Sequence, residues 1–167
     1  MGKIPMSRKW FYLAAPVAIL LLATVPSCRN PFSPIDDLDR IPEKVVINGT
    51  VISMQASVYR DFMPGGEPGG SPLIAVITLT AAGHPDFPDY IGADKIWVTN
   101  RQEIWESGFQ DELRPRSPAE PNVIELVARG GPKWEPETPV NIVVRITVRG
   151  GSYLYIKSLN NRVGAVW

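Results

Sequence analysis

The stretch PVNIVVRITVRG, residues 139–150, constrains the fold more than any other part of the chain. Its apolar residues recur at every second position: Val140, Ile142, Val144, Ile146 and Val148. This period of two is typical of a strand with one buried face. After position 43, no window of about a dozen residues has apolar side chains at the spacing of an amphipathic helix. The sequence therefore predicts strands in this part of the chain.

The loop that follows this strand decides which face of the next strand, SYLYIKS at 152–158, is buried. A two-residue Gly-Gly loop would bury Tyr153 and Tyr155, because a shift of one residue turns every side chain to the other face. A three-residue loop that ends in a left-handed Gly151 would bury Leu154 instead. We predict the longer loop, with these cross-strand pairs: Ile146 with Leu154, Val144 with Ile156, and Arg145 with Tyr155.

Further strand candidates are separated by breaks rich in Pro and Gly, of which the chain has 17 and 14. They are a first strand with Val45, Ile47 and Val51 on one face, the apolar run 73–80, a hairpin of 95–99 with 103–106, and 122–128. The length of 167 residues suits one domain of ordinary size. About seven or eight strands without intervening helices predict an all-β fold over 44–167, a single antiparallel β-sandwich of immunoglobulin-like or related Greek-key type.

The first 27 residues have the three parts of a secretory signal peptide. In order, these are a positive head with Lys3, Arg8 and Lys9, the apolar stretch 10–23, and the short segment 24–27. An uncleaved membrane helix is the alternative, but such a helix needs about 20 apolar residues. The run here is shorter and contains Pro16, which disfavours a helix interior. We therefore expect residues 1–27 to be removed.

Cys28 is the only cysteine of the chain and directly follows this segment. The sequence Val25-Pro26-Ser27-Cys28 resembles the lipobox of bacterial lipoproteins, with an aliphatic residue three before the cysteine and a small residue just before it. The resemblance implies cleavage before Cys28 and attachment of acyl chains that hold the protein on a membrane. A free thiol in a secreted protein is the alternative, since one cysteine cannot form an internal disulfide.

The residues after Cys28 bear on which membrane holds the protein and on how far the folded part extends from it. In Gram-negative members of this class an Asp after the cysteine retains the protein in the inner membrane, whereas this chain has Arg29. The resemblance thus implies the outer membrane, provided the cell has two membranes. Residues 29–43 hold three prolines and four acids. We expect residues 28–43 to be a lipidated N-terminus followed by a flexible, extended tether.

Groups that would support catalysis or cofactor binding are scarce. His84, the only histidine, lies in a proline-broken loop without a nucleophile motif beside it. Zinc would need three or four ligands, which His84 cannot supply alone. Asp86, Asp89 and Asp94 are candidate calcium ligands, although their spacing is not that of an EF-hand. We expect a protein that is not an enzyme and needs no cofactor.

The charge distribution argues against nucleic acid as a partner. The formal net charge is zero, but the basic head precedes the predicted cleavage point, so the remaining chain is mildly acidic. It contains no basic stripe of the kind that neutralises phosphates.

Aromatic residues provide the best candidates for binding. Trp97 and Trp105 flank one predicted hairpin, and Tyr153 and Tyr155 lie on the last strand, with Arg145 opposite Tyr155. Rings on a flat sheet face can stack on sugars or pack against proteins. Burial of the tryptophans in the core is the alternative, because Trp is highly buried on average. We expect a lipid-anchored binding, assembly or accessory module of the cell envelope, with a protein or glycan partner; the alternative is a carbohydrate-binding module.

Overall fold

The computed structural model describes residues 34–167, so the predicted signal peptide and Cys28 lie outside the described residues. The described part contains one stretch of 3-10 turns, Pro34–Arg40, and nine strands. The strands are β1 (Lys44–Ile47), β2 (Thr50–Asp61), β3 (Leu73–Ala82), β4 (Ile91–Thr99), β5 (Ile104–Ser107), β6 (Asp111–Leu113), β7 (Val123–Gly131), β8 (Pro139–Val148) and β9 (Ser152–Val166). The prediction of an all-β fold is confirmed. Within residues 34–167, no helix has the length and apolar character needed to cross a membrane.

The described strands all belong to one curled sheet. Its order is β5-β4-β8-β9-β2-β3-β7-β6, and β1 pairs with β2 beside this path. Every pair is antiparallel except β2 with β9, which run parallel from Val58 opposite Val163 to Asp61 opposite Val166. The single sheet arises because β9 is 15 residues long and pairs first with β8 and then with β2. The predicted two-sheet sandwich and its immunoglobulin-like assignment are therefore not confirmed.

The concave face of the sheet encloses one main hydrophobic core. The alternation predicted for β8 is confirmed, with Ile142, Val144 and Ile146 fully buried. Ile124, Leu126 and Ala128 of β7, a strand predicted at 122–128, also point inward. The curl brings Trp105 of β5 against the end of β7, where a Cβ added at Gly131 would lie 2.8 Å from the indole ring.

The predicted pairing of β8 with β9 is confirmed. Arg145 lies opposite Tyr155, and the aliphatic pairs are those predicted: Ile146 with Leu154 and Val144 with Ile156. The loop has three residues, and Gly151 adopts a φ of +90°, the left-handed region that glycine tolerates. Ile156 is fully buried, whereas the predicted burial of Leu154 is wrong: this residue is 38% exposed and lies close to the loop that closes the hairpin. The hairpin predicted around Asn100 is also present, as β4 and β5.

The first predicted strand is wrong in its extent. A turn at Asn48 and Gly49 divides it into β1 and β2, with φ values of +49° and +83°. Positive φ at both central residues is typical of a two-residue type I′ hairpin, for which Asn-Gly is the strongest sequence signal. As a result Ile52, rather than Val51, shares the buried face with Val45.

Residues 34–43 are packed on the sheet, so their interpretation as an extended tether is wrong. The 3-10 turns are kinked at Asp37, which has φ −128° and ψ 36°. Ile41 is buried, and the Lys157 backbone N–H donates a 3.0 Å hydrogen bond to the Pro42 carbonyl. We call residues 34–43 the strap.

Candidate functional site: a groove beside the strap

The strap lies on the outer face of the sheet, opposite the main core. Successive residues of a strand point to opposite faces, so Val143 of β8 faces away from the core that holds Ile142 and Val144. On this outer face Ile41 packs with Trp97 and Val143 in a second, smaller apolar cluster. The side chain of Lys157 passes beneath the strap, where its Nζ donates a 2.8 Å hydrogen bond to the Leu38 carbonyl.

A groove of about 280 Å³ opens between the strap, β1 and the first residues of β9. Its lining residues are Asp37, Arg40, Ile41, Pro42, Val45, Tyr153, Leu154 and Tyr155. Apolar side chains make up most of this lining, and Asp37 and Arg40 stand at its rim as an ion pair of 3.2 Å. The groove is thus an apolar depression with a polar edge.

Three aromatic rings connect the groove to the outer cluster. Trp97 and Tyr155 meet edge to face with ring centroids 5.9 Å apart, and Tyr155 meets Tyr153 in the same way at 5.8 Å. Tyr153 is 58% exposed, whereas Trp97 is buried beneath the strap. Burial, and secondly the neighbouring Tyr153, raise the pKa of Tyr155, so its hydroxyl stays protonated at neutral pH. The row of rings therefore runs from a buried tryptophan to a solvent-exposed tyrosine.

Arg145 lies beside this row of rings and is held in place by an ion pair. Its Nε and a terminal nitrogen donate to the two carboxylate oxygens of Asp94 at 2.8 and 2.6 Å, a bidentate ion pair. The hydrogen bond to Asp94 raises the pKa of Arg145, which stays charged. The guanidinium carbon lies 5.6 Å from the centre of the Tyr153 ring. A rigid cation thus lies beside the exposed ring.

A second ion pair supports Trp97 from the neighbouring strand. Glu106 of β5 accepts a 2.5 Å hydrogen bond from Lys95 and a 2.7 Å hydrogen bond from the indole N–H of Trp97. The bond from Lys95 lowers the pKa of Glu106, although partial burial acts in the opposite direction. These contacts hold the indole under the strap, and they give Trp97 a structural role.

The predicted binding residues are only partly brought together. Arg145, Tyr153 and Tyr155 lie side by side, as their pairing implies. Trp97 is next to them but only 5% exposed, and Trp105 points into the main core on the other face. The two tryptophans are therefore unavailable for stacking, and the alternative of burial is correct for both.

The residues considered for metal binding do not form a metal-holding group in the described part of the chain. No group of three His, Cys, Asp or Glu side chains is arranged there to hold a metal ion. Asp86, Asp89 and Asp94 therefore do not form the considered calcium site, and Asp94 is instead paired with Arg145. His84 is exposed, and its Nδ1 makes a 2.8 Å hydrogen bond with the Asp86 carbonyl.

Several apolar residues of the strap, which pack in the outer cluster beside the groove, were missed by sequence reasoning. Ile35, Leu38 and Ile41 recur at every third position, which is the period of a 3-10 helix with one apolar side. A search limited to helical and strand periods does not detect it. Val45 and Leu154 were predicted as strand residues, but their position at the groove depends on the packing of the strap.

Comparison with known proteins gives no relative from which a role can be transferred: no protein-family model, no curated protein and no solved structure matches this chain.

Proposed function

We propose that the chain is a lipid-anchored envelope protein without enzymatic activity, which binds a partner through the groove beside the strap. Residues 1–27 act as the signal peptide, and Cys28 carries the acyl chains. Arg29 supports the outer membrane as the destination. We also propose an immunoglobulin-like relationship of the curled sheet, on the basis of its all-β architecture.

The distance between anchor and fold supports this role. At about 3.4 Å per residue, the chain between Cys28 and Pro34 spans at most about 20 Å. Because the strap is packed on the sheet, this short segment holds the groove near the membrane surface. A partner in the same membrane would therefore meet the groove at a high effective concentration.

The observation that carries the binding role is the exposure of apolar groups at a preformed depression. Tyr153 is 58% exposed and Leu154 is 38% exposed, and both line the groove. Exposed rings beside an apolar pocket are typical of residues that dominate binding energy at interfaces.

The anchoring is tested by membrane partitioning of Cys28→Ser. We expect the wild type to sediment with membranes and to resist extraction by high salt, and the variant to lose this attachment. Asn30→Ser, two positions along, is the matched control and should behave as wild type. Equal partitioning of Cys28→Ser and wild type would exclude acyl anchoring.

Carbohydrate binding is the second candidate, favoured by the ring of Tyr153 beside the Arg145–Asp94 pair. An exposed ring gives a stacking surface, and the guanidinium and carboxylate supply the polar contacts that sugar hydroxyls need. A glycan array with Tyr153→Ala should lose its signal, while Trp167→Ala, which removes an 80% exposed ring elsewhere, should keep it. An array without signal for the wild type would exclude this candidate.

A further inference from the structure

A second cavity, which shares no lining residue with the groove, lies where β9 separates from β2. It has a volume of about 500 Å³. Its lining residues are Met54, Gln55, Ala56, Ser57, Val76, Thr78 and Ser158. Sites for small molecules have volumes of about 300–1,000 Å³. The cavity is therefore large enough for a small ligand.

The cavity lies where part of the edge of β2 has no neighbouring strand. On this edge β1 pairs with β2 as far as Ser53, and β9 pairs with it from Val58 onward. Between these points, no strand within residues 34–167 pairs with residues 54–57 on this side, whereas β3 pairs with them on the other. The gap coincides with an irregularity in β9 between Ser158 and Asn161.

The open edge presents main-chain donors and acceptors to the cavity. Ile47 and Thr50 flank the two-residue turn, and in such a hairpin this pair exchanges both hydrogen bonds, so the main-chain groups of Thr50 point towards β1. Because the direction alternates along a strand, the N–H and C=O groups of Met54 and Ala56 point to the same edge. These groups are therefore available to a ligand that both donates and accepts hydrogen bonds.

The side chains around the cavity are largely polar but uncharged. Gln55 and Ser57 are exposed on β2, and Thr78 lies opposite Gln55 on β3. Ser158 is held by the side-chain amide of Asn161, which donates to its carbonyl at 3.1 Å and to its Oγ at 3.0 Å. Among the described residues that line the cavity, none is charged. A charged ligand would therefore find no partner of opposite charge there.

Two other kinds of ligand fit the cavity less well. An apolar ligand would remove water from the main-chain groups of β2 without replacing the hydrogen bonds, which costs free energy. A peptide strand could replace them, but the open edge is limited to residues 54–57, about 13 Å of strand, because β1 and β9 occupy the same edge on either side. Sugar hydroxyls donate and accept within a compact molecule, so they suit this short edge.

We propose that this cavity binds a neutral sugar, as a monosaccharide or as a unit of a glycan. The sugar hydroxyls would bond to Ser57, Thr78 and the main-chain groups of Met54 and Ala56. The inference goes beyond the proposed function, because the site depends neither on the anchor nor on the groove and is separate from the carbohydrate candidate at Tyr153.

The test is saturation-transfer difference NMR with a panel of neutral mono- and disaccharides on the full chain, held in nanodiscs of phosphatidylcholine. We expect a sugar of the panel to receive saturation from the wild type. Ser57→Ala combined with Thr78→Val removes two lining hydroxyls and should reduce this signal about fivefold or more. Ser53→Ala combined with Thr80→Val is the matched control, because these two residues form a pair on the same strands outside the cavity. It should leave the signal unchanged.

Amide hydrogen exchange tests the role of the open edge. Binding of the sugar should slow the exchange at Met54 and Ala56 and leave β7 unchanged. Ser57→Leu adds bulk at an exposed position of β2 and should abolish both the NMR signal and the slowed exchange.

The proposal is overturned if no sugar of the panel receives saturation from the wild type, or if the cavity variant and its matched control give equal signals. A signal that Tyr153→Ala removes and the cavity variant does not would place the sugar beside Arg145, with the same consequence. Stronger binding of the corresponding uronic acid would contradict the selection for a neutral ligand. A short peptide rich in Thr and Val that slows exchange at Met54 and Ala56, when no sugar does, would identify a strand partner and also overturn the proposal.

Discussion

Arg60 is the one charged side chain buried within residues 34–167, and all of its hydrogen bonds go to backbone carbonyls. Its guanidinium donates to the carbonyls of Ser71 at 2.9 Å, Trp134 at 3.1 Å and Lys133 at 3.3 Å, and also to that of Gly69. Burying a charge is costly unless hydrogen bonds compensate it. Here the same bonds tie the loop after β2 to the loop after β7, so the cost is offset by fixing two irregular segments.

We expect Arg60→Met to destabilise the fold by about 3 kcal/mol, because several buried carbonyls lose their donor. Urea unfolding followed by tryptophan fluorescence measures the change. Arg60→Lys is the control that keeps the charge but offers a compact ammonium group. Its free energy of unfolding should fall by less than that of Arg60→Met. Equal midpoints for Arg60→Met and wild type would show that the carbonyls do not depend on the guanidinium.

Glu106 predicts a specific pH dependence of stability. Its pKa in the folded state is below the ordinary value of 4.5, so the folded state binds fewer protons than the unfolded state at pH values just below 4.5. The ionised carboxylate therefore contributes stability that is present above pH 4.5 and is lost as the pH falls through the lowered folded pKa.

Glu106→Gln keeps an acceptor for Trp97 but removes the charge that Lys95 stabilises. We expect the variant to unfold at a lower urea concentration than wild type at pH 7, and the two midpoints to converge as the pH falls well below 4.5. Glu43→Gln, at an exposed acid without an ion pair, should follow the wild type throughout. A difference in urea midpoint between wild type and Glu106→Gln that stays constant with pH would contradict a stabilising role of the charge.

At the residue scale, the sequence was sufficient to predict which side chains are neighbours where the pairing of two consecutive strands determines this. Alternation in β8 and the glycines after it were enough to place Arg145 beside Tyr155. The same reasoning failed for Trp97, because its burial depends on a strap more than fifty residues away in sequence. No local pattern around Trp97 carries that information.

At the scale of elements, the hairpin of β1 and β2 depends on one turn. Gly49 has a φ of +83°, a conformation that costs an L-residue about 1–2 kcal/mol. We expect Gly49→Ala to lower the free energy of unfolding by about 1 kcal/mol. Gly108→Ala is the control, since an added Cβ there lies 3.6 Å from its nearest neighbour and the φ is not positive. A larger loss for the control than for Gly49→Ala would contradict the assigned turn.

The strap is the element whose detachment would change the site most. Ile41 is its main apolar contact, 6% exposed, and Ile41→Ala should cost about 2 kcal/mol. We also expect faster amide hydrogen exchange at Lys157, whose N–H donates to Pro42, without a change in β3 or β7. Val46→Ala, at a 65% exposed side chain of β1, should have little effect on the free energy of unfolding or on the exchange at Lys157. Unchanged exchange at Lys157 in Ile41→Ala would show that the strap does not depend on this contact.

At the scale of the whole molecule, the all-β class followed from the sequence but the number of sheets did not. Whether strands form one sheet or two depends on pairs that are distant in the chain. Here the decisive pair is β2 with β9, which runs parallel and joins residues more than one hundred positions apart. Alternation within each strand is the same in a sandwich and in a curled sheet, so it does not distinguish them.

The whole-molecule arrangement also limits how the protein works. Because the strap belongs to the fold, anchoring at Cys28 would leave only the residues before Pro34 as a link to the membrane. The groove would then be presented close to the bilayer and would serve partners in or near the same membrane. The proposed role of the groove depends on that anchor.

The intact mass of the protein extracted from membranes tests the anchor most directly. We predict the mass of residues 28–167 increased by acyl groups on Cys28. Recovery of the unmodified 167-residue chain of 18.4 kDa, with its first segment still attached, would contradict the account.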